Sequence, residues 1–317
     1  MKRRQFLKDS VIGGAALSLY TFLKCSKSND SLAFKLGRRV LGKTGVTLPL
    51  IGFGGLILRD MEQGYANNLV AKAFERGVNY FDVAPTYGNA EDILGPALLP
   101  LRNKSFLACK TTQRDKVGSE KELNESLAKL KTDHFDLYQL HGLKNIDEAE
   151  KSFAANGAME TFLKAKQDGK IRFIGFSAHS EEVALFAMEQ FEFDTILFPV
   201  NFICWFQGNF GISTIAKAKE KSLGILALKS LALTYVPQGK ERPHARLWYQ
   251  PIDDAETANL ALRFALSQGT TAAIPPGDEL FFLKAVEIAE KFSLITEEET
   301  EKLKKLSEGV VPIFKTS

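Results

Sequence analysis

Val78-Asn79-Tyr80-Phe81-Asp82-Val83-Ala84-Pro85-Thr86-Tyr87-Gly88 is a short apolar run that ends in an acid and opens into a turn. The run has the length of a buried strand, and Pro85 and Gly88 punctuate the residues after it, so Tyr87 is expected on a loop with its hydroxyl free. An acid and a phenol five positions apart therefore sit where a strand becomes a loop.

Outward from that stretch the same unit repeats. Before it, Leu48 to Phe53 reads as a strand ending in Gly54-Gly55. A helix comes next, with Leu69, Val70, Ala73 and Phe74 on one face and Gly77 as its stop. After the opening stretch come a helix near 90–98, a strand at 106–110, and Leu123, Leu127 and Leu130 at helical spacing. Strands at 135–141, 171–176, 195–200, 224–228 and 272–275 alternate with helices near 159–169, 180–190, 213–221, 256–267 and 280–291. About eight strand–helix units predict a (β/α)₈ barrel of the α/β class. A doubly wound sheet would call for a Gly-x-Gly-x-x-Gly after the first strand, and none is present. Arg39 to Thr47 predicts an N-terminal β-hairpin, and Thr296-Glu297-Glu298-Glu299 a capping box opening a C-terminal helix.

Length and composition agree with a large globular unit: 317 residues, 45% hydrophobic and 25% charged. The net charge of +3 is small and its bases are interleaved with acids, which argues against a nucleic-acid surface. The three cysteines lie at no metal or disulfide spacing, so no metal is expected, and Cys109 and Cys204 read as buried.

The N-terminus has a different character. Lys2-Arg3-Arg4-Gln5-Phe6-Leu7-Lys8 precedes an uncharged, mostly apolar run from Val11 to Leu23, shorter than the ~20 residues a helical span needs. It resembles a twin-arginine export signal, so residues 1–32 are expected to be signal and linker and 33–317 the barrel. Export machinery is the expected partner and the periplasm the expected location. A membrane tether through an uncleaved N-terminus is the alternative.

Active-site chemistry in barrel enzymes sits at the C-terminal ends of strands, and three adjacent strands here end in Asp82, Lys110 and His141. An ammonium beside a phenol lowers its pKa, and a carboxylate fixes the ammonium. Tyr87 can then donate a proton to an oxygen becoming an alkoxide while His141 orients the carbonyl. The competing reading is an Asp82–Lys110 pair that closes the barrel without chemistry.

With these residues in place, the chain resembles an aldo-keto reductase. The resemblance is carried by Leu41-Gly42-Lys43-Thr44-Gly45, Phe81 to Gly88, the strand ending at Lys110, Asp136 to His141, and Lys170 to Ser177. It implies a nicotinamide-dependent oxidoreductase interconverting a carbonyl (aldehyde, ketone or sugar-like) and an alcohol, with Tyr87 as proton donor, Lys110 and Asp82 tuning it and His141 orienting substrate. It also implies a cofactor lying over the barrel mouth, with Gly54, Gly55, Ser177, Asn201, Leu228, Lys229, Pro276 and Gly277 on the cofactor side. Ala178, Asn201 and Leu228 depart from the family's usual residues, and Asp278 and Glu279 would repel an adenosine 2′-phosphate. The resemblance leans slightly to NADP, those two acids weaken the lean, and NADP and NAD both stay open; a nicotinamide-binding barrel with a structural or sensing role is the alternative function. The 231–253 segment is expected to cover the mouth, and Trp205 and Trp248 are expected in the substrate pocket.

Overall fold

The computed structural model describes residues 36–242 and 244–316. The expected signal and linker, and Cys25 with them, lie outside the described residues. Eight strands form one parallel sheet in chain order: β3 (Phe53–Gly54), β4 (Tyr80–Asp82), β5 (Phe106–Thr111), β6 (Phe135–Leu143), β7 (Ile171–Ala178), β8 (Thr195–Pro199), β9 (Gly224–Leu228) and β12 (Ala272–Ala273). A parallel bridge between Ile51 and Ala273 joins the last strand to the first, with Gly52 and Ala273 donating to Ala273 and Leu50 carbonyls. That bridge closes the sheet into a barrel, as the strand–helix count predicts.

The barrel has two cores because each strand buries both faces. Residues on one face of β5, Leu107 and Cys109, pack outward against the helices, while Phe106 and Ala108 face the barrel axis. Tyr80, Leu137, Leu197, Leu226 and Ala272 fill the same interior layer from the neighbouring strands. The alternation has period two, so the next inward position on β4 is Asp82 and on β5 is Lys110. The polar residues thus stand on top of an apolar plug.

The first expected strand divides differently. Thr47–Pro49 forms β2, which pairs antiparallel with β1 (Arg38–Val40), and the barrel strand proper is only Phe53–Gly54. The hairpin closes the N-terminal end of the barrel, where Leu41 and Leu48 join the interior core. Its approach is close: a side chain at Gly42 (φ +50°) would meet the Gly224 backbone nitrogen at 2.2 Å.

Helices α1 (Gln63–Glu75), α2 (Ala90–Leu98), α3 (Lys116–Lys129), α5 (Ala158–Gln167), α6 (Glu181–Gln190), α8 (Ile212–Glu220), α9 (Ala255–Ser267) and α10 (Glu279–Glu290) surround the sheet, and α11 (Glu297–Ser307) forms the helical tail. The capping box read at Thr296 and Glu299 is present. Two short helices not expected from periodicity, α4 (Ile146–Phe153) and α7 (Phe202–Gly208), come after β6 and β8. Between β9 and α9 the chain forms a second hairpin, β10 (Ala232–Tyr235) with β11 (Tyr249–Pro251), in the segment expected to cover the mouth. Cys109 and Cys204 are free and buried. Among the described residues no helix is long and apolar enough to cross a membrane, and no cluster of His, Cys, Asp or Glu could hold a metal ion.

Candidate active site

Asp82 and Lys110 meet inside the mouth with the Lys110 ammonium bonded to the carboxylate, at 2% and 0% exposure. Lys110 also donates to the Val83 carbonyl at 3.2 Å and to the Tyr87 hydroxyl at 3.5 Å. Asp82 accepts in addition from Gln139 Nε2 (3.1 Å) and Tyr80 OH (3.4 Å). A buried charge pair persists only when its remaining valences are satisfied, and here three donors surround one carboxylate. Gln139 and Tyr80 were not singled out in the sequence. They were findable, because each lies two residues before a site residue on the same strand face, Gln139 before His141 and Tyr80 before Asp82.

Tyr87 reaches the cluster from a turn that its neighbours impose. Its amide donates to the Ala84 carbonyl across Pro85-Thr86, and Gly88 comes next at φ +65°. Burial pushes the Tyr87 hydroxyl above the ordinary phenol value, with the Lys110 ammonium opposing that shift. Sequence reasoning expects a lowered pKa, but desolvation is the larger effect in this pocket, and it keeps the phenol a proton carrier at neutral pH. Burial alone would lower Lys110; Asp82, with Tyr87, outweighs it and raises the ammonium's pKa. His141 lies edge-on to the Tyr87 ring at 6.0 Å, and its Nδ1 is buried without a hydrogen-bond partner among the described residues. Burial, then the positive charge of Lys110 and its neighbours, holds its pKa well below the usual imidazole value, so the ring is neutral. Arg114 fixes the strand there by donating to the His141 carbonyl at 2.7 Å.

These four residues line one cavity of about 260 Å³. Gly54, Ser177, Leu228, Lys229, Pro276, Gly277 and Trp248 border the same space, joined by His179, Arg246 and Tyr249. Gly55 does not reach it; it lies against Val83, where an added Cβ would sit 2.8 Å from that side chain. Asn201 is absent from the lining as well. Its Oδ1 caps α7 through the Ile203 and Cys204 amides, and its Nδ2 donates to the Lys229 and Ala232 carbonyls. With that capacity consumed, Asn201 supports the cleft from behind. Trp205 packs edge-on to Phe264 at 5.8 Å, away from the cavity, because the side of α7 that carries it faces α9.

The cleft is suited to an anionic ligand. Lys229 stands at φ +61°, over the rings of Tyr249 and Trp248 at 4.7 and 5.2 Å, with no carboxylate partner among the described residues. Burial depresses its pKa to about 8. Arg246, on the covering hairpin, donates to the Arg59 carbonyl at 2.5 Å and also borders the cavity. Two bases lacking acidic partners in one cleft fit a pyrophosphate, so the residues present fit a nicotinamide dinucleotide. Lys229 and Arg246 would hold its phosphates, with Gly54, Leu228, Pro276 and Gly277 along its walls. Asp278 and Glu279 lie beyond: Asp278 caps α10 and pairs with His244 at 3.2 Å, and Glu279 accepts from Tyr65.

A closed parallel barrel whose mouth holds a lysine-coupled phenol, a neutral imidazole and an anion-ready cleft defines a (β/α)₈ protein equipped to pass a proton to a carbonyl oxygen. The aldo/keto reductase family profile matches residues 50–246. The chain belongs to the aldo/keto reductase family. It is 35% identical over 158 residues to the uncharacterized oxidoreductase YqkF of Bacillus subtilis, a match covering 44% of this chain and 48% of that protein. It is 23% identical over 272 residues to L-galactose dehydrogenase of Arabidopsis thaliana, covering 77% of this chain and 84% of that one. The match to YqkF thus spans about half of that relative's length. Among solved structures, aldo-keto reductase AKR11C1 from Bacillus halodurans, in its holo form, superposes with a TM-score of 0.69 at 22% identity, covering 88% of this chain and 98% of that one.

Proposed function

We propose that this protein is a nicotinamide-dependent oxidoreductase that interconverts a carbonyl and an alcohol. The observation that carries the reading is the buried Asp82–Lys110–Tyr87 relay facing a neutral His141 beside the Lys229 cleft. When bound, the nicotinamide supplies or accepts the hydride. Tyr87 holds the proton that the substrate oxygen takes, His141 orients that oxygen, and Lys110 stabilises the phenolate left behind. The proton then returns to Tyr87 from solvent through the open mouth.

Tyr87→Phe removes only the proton and is expected to lower kcat at least 10²-fold, in line with the usual contribution of a positioned general acid, with an unchanged circular-dichroism melt. Undiminished turnover in that variant would refute the assignment and favour a barrel that binds nicotinamide with little turnover. The relative that acts on L-galactose supports a sugar-like carbonyl within the substrate range. On the cofactor, the negative charges of Asp278 and Glu279 at the start of α10 support NAD over NADP.

Export belongs to the same proposal. The basis is the paired arginines and apolar run at the N-terminus, which suit a route that carries folded proteins with a ligand already bound. Mass spectrometry of nucleotide released from protein recovered outside the cytoplasm is expected to find NAD at one equivalent per chain. Recovery of all the protein in the cytoplasmic fraction would reject export, and NADP in place of NAD would reject the cofactor choice.

A further inference from the structure

Strand β6 does not run straight through His141. Its pairing with β7 passes from Leu140–Phe176 to Leu143–Ala178, so His141 and Gly142 together oppose Ser177 alone. That is a β-bulge, which interrupts the ladder and re-aims the side chain it carries. Gly142 stands at φ +58° with open space where a Cβ would sit, so the backbone conformation, not a lack of room, calls for glycine there. The Nδ1 of His141 is buried with no partner among the described residues. With no tether through that atom, the imidazole takes its direction from the backbone beneath it.

Two side chains hold the bulge. Ser177 Oγ accepts from the Gly142 amide at 2.7 Å. Arg114, in the turn between β5 and α3, donates through Nη2 to the His141 carbonyl at 2.7 Å and, more weakly, to the Gly142 carbonyl at 3.4 Å, while Nη1 donates to the Thr111 carbonyl at 3.3 Å. The same Nη2 pairs with Glu148 Oε2 at 3.2 Å, in the first turn of α4, where Asn145 caps the helix by accepting from the Glu148 amide. One guanidinium thus ties the ends of β5 and β6 to α4. The Arg114 side chain is only 13% exposed, and its Nε is buried without a partner among the described residues. A buried charge with an unpaired donor is costly, and a contact needed only for packing would not call for one.

We infer that Arg114, anchored by Glu148, is a positioning residue for the reaction: it fixes the His141–Gly142 bulge and so the direction in which the His141 imidazole meets the substrate oxygen. The inference rests on the oxidoreductase reading. Arg114 also bears on the charge of the ring, which is faced by Tyr87, by Lys110 with its partner Asp82, and by His179 and Lys229. Burial is the first cause of the depressed His141 pKa, and Lys110, His179, Arg114 and Lys229 add to it. Loss of the Arg114 charge therefore raises that pKa, and loss of its planar fork frees the bulge. Lysine keeps the charge without the fork, so the two effects can be separated.

The test uses the full chain with para-nitrobenzaldehyde and reduced nicotinamide dinucleotide, together with NMR titration of isotope-labelled histidine, the His141 signal being the one lost in His141→Gln. Arg114→Met is expected to lower kcat about tenfold or more while the KM for the dinucleotide stays within about twofold, and to move the His141 midpoint up. Arg114→Lys is expected to keep the wild-type midpoint and recover only part of kcat. Glu148→Gln keeps the charge and removes the anchor; a fall in kcat of about threefold is expected, and this variant decides the matter should Arg114→Met fail to fold. A kcat within about twofold of wild type in folded Arg114→Met, or in Glu148→Gln if the former does not fold, would overturn the assignment. So would a loss of kcat in Arg114→Met with an unmoved His141 midpoint, since Arg114 would then act elsewhere than on the ring. Turnover that survives Tyr87→Phe would instead refute the oxidoreductase reading, and the catalytic use of His141 with it, while the NMR comparison still reports whether Arg114 holds the ring.

Discussion

Lys229 shows most directly how position sets the behaviour of one residue. A non-glycine residue at φ +61° is held there by its surroundings, and the holding group is Asn201, whose side chain grips the Lys229 carbonyl at 2.9 Å. The ammonium then faces two aromatic rings and a cleft rather than a carboxylate, which is why its pKa falls to about 8. Below that pH it is charged and attracts an anion; above it the charge is lost. Binding of a nicotinamide dinucleotide, measured by fluorescence titration, is therefore expected to weaken by up to about tenfold per unit as pH rises above 8. Lys229→Met is expected to bind more weakly at pH 7 and to show no such dependence.

At the scale of elements, short connecting pieces decide where site residues stand. Helix α7 places nothing in the cavity, yet its N-cap, Asn201, joins the end of β8 to the turn after β9 through four hydrogen bonds. Asn201→Ala would strip the cap and remove one donor each from the Lys229 and Ala232 carbonyls, the former keeping its bond from the Ala232 amide, a loss of about 1–2 kcal/mol. Urea unfolding should show it as a lowered midpoint at unchanged slope, with weakened dinucleotide binding because Lys229 is released. The β10–β11 hairpin works the same way from above, bringing Arg246, Trp248 and Tyr249 to the mouth.

For the whole molecule, the two ends of the barrel have separate duties. The N-terminal end is plugged by Leu41 and Leu48 against Tyr80, Phe106 and Leu137, and the C-terminal end is left polar and open. Leu41→Ala leaves a hole in the interior core and is expected to cost about 2–5 kcal/mol of stability. Steady-state kinetics of the folded variant should remain within about twofold of wild type, since the cavity lies at the opposite end of the strands. A large loss of kcat without a loss of stability would show that the two ends are coupled.

The amino-acid sequence by itself determined the strand–helix count, the strands that end in Asp82, Lys110 and His141, and the loop that carries Tyr87. These are local signals: apolar runs of strand length, helical spacing, and Pro or Gly punctuation are written in neighbouring residues. Even there one boundary moved, because Thr47–Pro49 alternates equally well as a hairpin strand or a barrel strand, and only pairing with β1 decides. The tertiary structure decided which polar groups share a face of the barrel. Gln139 and Tyr80 bond to Asp82, Asn201 and Trp205 turn away from the cavity, and Phe314 from the chain end stacks on His179. It also reversed the expected shift of Tyr87, since the balance between an ammonium's attraction and the cost of desolvation depends on burial, and burial is a property of the closed barrel.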